Sequence, residues 1–77
     1  MSRYTSQIEI SFGTNQDERA IVPDSTASVV VEYWTGVSWA ADVSSPVTKP
    51  TTIYTKGLRV RLTPTGGGFL IEEGEGL

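Results

Sequence analysis

Ala27-Ser28-Val29-Val30-Val31-Glu32-Tyr33-Trp34-Thr35 is the stretch on which the fold turns. Its three consecutive valines are β-branched and stiff at χ1, which suits a pleated sheet better than a helix. Successive side chains of an extended chain alternate between faces, so Val29, Val31 and Tyr33 share one side and Val30, Glu32 and Trp34 the other. The first side is apolar but for one hydroxyl, whereas the second carries a charge. This asymmetry predicts a central strand whose Val29 side is turned to a core.

Working outward, Thr35-Gly36-Val37-Ser38 reads as a hairpin connection in which Gly36 supplies a positive φ. Trp39 to Val43 then returns antiparallel, which places Trp34 and Trp39 to pair across the turn. Strand patterning recurs at Gln7 to Phe12, with Ile8, Ile10 and Phe12 inward, and at Leu58 to Thr63, with Leu58, Val60 and Leu62 inward and Arg59 and Arg61 outward. Shorter strands are expected at Arg19 to Val22, closed by Pro23-Asp24, at Thr51 to Tyr54 and at Phe69 to Glu72. No stretch has helical periodicity. Six to seven short strands separated by turns predict an all-β single domain over residues 1–77, a small antiparallel β-sandwich or barrel, with the sandwich favoured. Ser44 to Pro50, with two prolines, is expected as an extended loop or sheet-edge segment. Gly13 to Glu18 reads as a solvated turn, and flexible arms are expected at about residues 1–6 and 73–77.

Composition narrows the function. The 77 residues contain neither cysteine nor histidine, which removes the thiol nucleophile, the commonest general base and the commonest metal ligand together. No activated serine or threonine can be named without a base, so the residues predict a non-enzyme, with no catalytic, cofactor-binding or metal-binding residue and no cofactor. A chain this short buries only about two-thirds or less of its unfolded surface. With disulfides excluded, association is the natural way to reinforce so thin a core. A net charge of −3 and a pI near 4.6 work against nucleic acid as a partner. The apolar residues, 38% of the chain, are too scattered for a membrane span and too many for a disordered chain. No basic, apolar leader directs export, which makes the cytoplasm, or a particle assembled in it, the expected location.

Three features invite chemistry. Gly66-Gly67-Gly68 resembles a phosphate-cradling loop, but a strand follows it rather than a helix with a Lys-Ser or Lys-Thr pair, so a turn is expected. Glu72, Glu73 and Glu75 lack the ligand spacing of a calcium loop and read as a solvated tail. Arg59 and Arg61 lie two apart on one strand and project from one face, available to a partner or to cross-strand pairing with Glu32 or Glu72. Tyr33, Trp34 and Trp39 suit a core, an interface or a sugar-stacking platform, and the thin core predicts that at least one tryptophan is buried. Candidate interface or ligand contacts are therefore Tyr33, Trp34, Trp39, Arg59 and Arg61.

Residues Val31 to Trp39, Pro46 to Pro50 and Leu58 to Phe69 together resemble, in style and composition, the short β-rich virion proteins of tailed bacteriophages, over about residues 27–73. The resemblance implies a virion structural protein, assembled in the host cytoplasm, that decorates or stabilises the capsid shell. It further implies self-association, as a homotrimer, and contact with the major capsid or another virion protein, with Met1 to Gln7 and Glu72 to Leu77 as arms along the shell. The alternative is a carbohydrate-binding module that stacks glycans on Trp34 and Trp39.

Overall fold

A computed structural model describes residues 2–72. They form eight strands and no helix: β1 (Ser2–Tyr4), β2 (Ile8–Ser11), β3 (Glu18–Pro23), β4 (Ser28–Trp34), β5 (Trp39–Ala41), β6 (Thr51–Tyr54), β7 (Arg59–Thr65) and β8 (Phe69–Ile71). These build two four-stranded sheets, ordered β1-β8-β3-β6 and β2-β7-β4-β5, with every pairing antiparallel. The envelope of 31 × 31 × 19 Å is as thin as two stacked sheets with their outer side chains require. The sandwich is therefore the architecture, and the closed barrel is not.

Parity along β4 decides the faces as its sequence requires. Val29 and Val31 are fully buried, and on the neighbouring strand Val60 and Leu62 close the same layer. From the opposite sheet come Ile21, Ile53, Phe69 and Ile71, while Phe12 and Val47 complete the cluster. Val47 belongs to the proline-bracketed loop and bridges Val29 through reciprocal backbone hydrogen bonds of 2.9 and 2.8 Å, so this loop does extend the sheet edge. The Ser45-Pro46 peptide within it is cis.

Strand β7 runs further than its alternation predicts, through Pro64 to Thr65. A proline is admissible here because Val29, which faces it, spends its own N–H and C=O on Val47. The Val29–Pro64 pair is thus a position where β4 asks for no donor, and β2, which pairs only as far as Leu62, leaves the other side open.

Two expectations are corrected. Gly13 to Glu18 is not simply a solvated turn: Gln16 is buried, its Oε1 accepts from Gly13 N at 2.6 Å, and its carbonyl accepts from the buried Thr55 hydroxyl at 2.5 Å. The N-terminal arm is not loose either, because Ser2–Tyr4 pairs with β8 and supplies the eighth strand. Tyr4 packs on Phe69 with ring centroids 5.9 Å apart, and both guanidinium nitrogens of Arg3 bond the Asp24 carboxylate, at 2.7 and 2.8 Å. The C-terminal arm, residues 73–77, lies outside the described residues.

The Arg3–Asp24 clasp makes the docking of β1 measurable. Hydrogen bonds from Arg3, and then from Gly68 N, lower the Asp24 carboxyl from 3.8 to about 2. A carboxyl depressed on folding contributes stability that is complete above its unfolded value and is lost as pH falls through the folded one, here between 3.8 and about 2. We expect a carboxyl NMR titration of Asp24 to give a midpoint near the lower value and Arg3→Ala to raise it. An ordinary carboxyl midpoint in the unmodified protein would mean that β1 is undocked in solution.

Candidate functional site

The outer face of the second sheet carries charged residues and both tryptophans. Register fixes which ones meet. Trp34 pairs directly with Trp39 at the top of the β4–β5 hairpin, whose turn is closed by Thr35 N donating to Ser38 O at 2.9 Å. The closing pair is hydrogen-bonded, so Trp34 and Trp39 occupy the next, non-hydrogen-bonded position, where side chains approach more closely. Their rings lie 5.3 Å apart at 56°, a tilted contact worth about 0.5–1.5 kcal/mol beyond burial.

Strand β7 brings the arginines to the same place. Arg61 faces Glu32 on β4 and Glu9 on β2. Its Nε donates to Glu32 Oε1 at 2.9 Å, and its guanidinium carbon stands 4.4 Å from the centroid of the Trp39 ring. Arg59 donates to Glu9 Oε1 at 2.5 Å, with its guanidinium carbon 5.9 Å from the same ring. A cation over an indole face is worth about 0.5–1 kcal/mol at an exposed site, comparable with an exposed ion pair. The result is a strip running Glu9, Arg59, Arg61, Glu32, Trp39 and Trp34 across four strands, in which the carboxylates orient the arginines and Arg61 covers Trp39.

Four of the five candidate contacts, Trp34, Trp39, Arg59 and Arg61, thus converge. Tyr33 does not join them. It turns inward with Val29 and Val31, packs against the core and donates its hydroxyl to Asp42 Oδ1 at 2.8 Å. Burial, reinforced by that carboxylate, raises the Tyr33 hydroxyl well above its usual value. Burial also pushes Asp42 up, but hydrogen bonds from the Ser44 hydroxyl and amide and from Tyr33 hold it below the usual carboxylate value. This is a structural tie at the end of the sandwich.

The expectation of a buried tryptophan is corrected: Trp34 is 38% exposed and Trp39 half-buried, both outside the core cluster. Parity requires this of Trp34, and direct pairing carries Trp39 to the same side. Of the two pairings expected for the arginines, Glu32 is found. Glu72 instead accepts from Ala20 N on the opposite sheet at 3.2 Å, which takes it out of the expected solvated acidic tail; Glu73 and Glu75 lie outside the described residues. Glu9, whose partner is Arg59, is the residue that sequence reasoning missed, though its outward parity between Ile8 and Ile10 was a usable signal. The three glycines form the β7–β8 turn, and Gly68 N donates to Asp24 Oδ2 at 2.8 Å.

Among the described residues there is no pocket and no grouping of carboxylates able to hold a metal. The strip therefore stands on an open face outside the core, with no cavity enclosing it among the described residues. No family model, curated protein or solved structure matches this chain.

Proposed function

We propose that this chain is a non-enzymatic structural domain that works through protein–protein contacts made by the outer face of its second sheet. The Trp34–Trp39 pair carries the reading: two large aromatics stand outside the core, backed by Arg59 and Arg61. Tryptophan and arginine are the residues enriched at interface hot spots, where truncation costs about 2 kcal/mol or more. A capsid shell is the partner that the resemblance to virion proteins implies, with decoration or stabilisation of the shell as the role; the same resemblance implies self-association, as a homotrimer.

The test is co-sedimentation with capsid shells encoded by the same genome, comparing the unmodified chain with a Trp34→Ala, Trp39→Ala double variant. The variant is expected to keep its thermal transition, because neither ring belongs to the core, and to bind at least about 30-fold more weakly. Equal retention of both proteins, or of neither, would refute the reading.

Glycan binding on the same tryptophans is the second reading, favoured by the exposure of Trp34. Against it stand the 56° tilt, which offers no flat platform, and the Arg61 guanidinium over Trp39. A tryptophan emission change with a defined glycan would support it; invariant emission across a glycan panel would remove it.

A further inference from the structure

Each sheet has two outer strands: β1 and β6 in one, β2 and β5 in the other. Open edges invite pairing with another chain, and proteins commonly blunt them with charge, lysine above all, or proline. Strand β1 carries Arg3 and β2 carries Glu9, and β6 is bracketed by Lys49-Pro50 and Lys56. Strand β5 is blunted only by its length of three residues: it carries neither charge nor proline, and the Asp42 that follows it turns its carboxylate to Tyr33 and Ser44. From Gly36 through Ala41 the hairpin tip and strand contain neither a charge nor a proline. Ala40 and Ala41 are exposed, and the flanking Val37 and Val43 are 87% and 100% exposed.

The backbone of β5 completes the argument. Ser38 O accepts from Thr35 N, and Asp42 N donates to Val31 O at 2.8 Å, so the even-numbered residues bond to β4. By alternation Trp39 and Ala41 direct their N–H and C=O groups away from the sheet. We propose that this edge pairs with β5 of a second copy of the chain, antiparallel about a two-fold axis at Ala40, joining two four-stranded sheets into one. The proposal rests on the reading of the domain as a protein-contact module and specifies one contact.

The occupant is a second copy because the edge complements itself. A two-fold at Ala40 sets Trp39 of each chain opposite Ala41 of the other, and both residues exchange hydrogen bonds through the groups that β4 leaves free. The small alanine gives the indole room, and the two Trp39 rings lie diagonal to each other, within reach of aromatic side chains. With both edges uncharged, no like-charge repulsion opposes the register. The resulting assembly is a dimer, in place of the trimer that the resemblance implies.

Two three-residue strands make a small interface, of the class below about 1,200 Å² that dissociates on dilution. Light scattering over a concentration series should therefore rise from 8.3 kDa toward twice that mass. Over the same series, amide hydrogen exchange should slow several-fold at Trp39 and Ala41 but not at Val37. Ala41→Pro removes an outward N–H that β4 does not use, and Ala41→Lys places a charge on the edge; both are expected to remain folded monomers with concentration-independent exchange at Trp39. The lysine variant decides the matter should the proline perturb the strand. A trimer, a dimer that persists in Ala41→Lys, or a monomer at the highest concentration would each overturn the edge pairing. Tryptophan-dependent binding to shells by a monomer would overturn it while leaving the shell contact of the proposed function intact.

Discussion

Val31→Asp is expected to leave no folded protein at neutral pH, seen as loss of near-UV circular dichroism and of the cooperative thermal transition. Val31 is fully buried, lies opposite Leu62 and has both backbone groups committed, its N–H to Ser45 Oγ and its C=O to Asp42 N. The substitution forfeits about 1.5–3 kcal/mol of apolar burial and sets a carboxylate in a layer with no donor to receive it, a further several kcal/mol. A domain of 77 residues has about 4–12 kcal/mol in total, so the two losses together remove most or all of it. Val30→Asp is the matched control: one residue away, opposite Thr63 on the outer face and half-buried, it should stay folded and lose about 1 kcal/mol or less. A folded Val31→Asp beside an unfolded Val30→Asp would invert the faces of β4, and the assignment of the surface strip with them.

Both outcomes were legible from alternation alone, and the reason is physical. Side-chain parity along a strand is a local property, and β2, β4 and β7 each state it over several residues. Parity already placed Tyr33 beside Val31 and Trp34 opposite, so the inward turn of Tyr33 could have been read from the strand. What misled was the argument from size. It assigned a tryptophan to the thin core, whereas two phenylalanines and a run of branched aliphatics fill that space, helped by Val47 from a loop whose prolines hide its contribution. The strip needed more than parity. Trp39 meets Arg61 only because β4 pairs with β5 on one side and β7 on the other, and no local pattern states that strand order. Strand β1 was hidden for the same reason: Ser2-Arg3-Tyr4 is short and polar, and its order comes from Phe69, Leu70, Ile71 and Asp24, all distant in sequence.

Gly66→Ala is expected to lower stability by about 2–5 kcal/mol, roughly twice the effect of Gly36→Ala, although both glycines sit in hairpin turns with positive φ. Gly36 has φ of 105° and open space where a Cβ would stand, so alanine there bears only the conformational penalty, about 1–2 kcal/mol. At Gly66, φ is 82° and the added Cβ would stand 2.6 Å from the Thr26 carbonyl oxygen. That oxygen has no easy retreat. The Thr26 hydroxyl donates to Gly66 O at 2.8 Å, Ala27 N donates to Asp24 O at 3.0 Å, and Asp24 is held in turn by Arg3 and Gly68. Strain at Gly66 therefore spreads to the clasp that docks β1, and two readouts should move together: the urea midpoint falls, and the Asp24 carboxyl rises from about 2 toward its ordinary value. Equal midpoints for the two alanine variants would show that the β7–β8 turn does not approach Thr26. A large loss with Asp24 unmoved would show that the turn and the N-terminal strand are mechanically separate, which the shared contacts of Asp24 argue against.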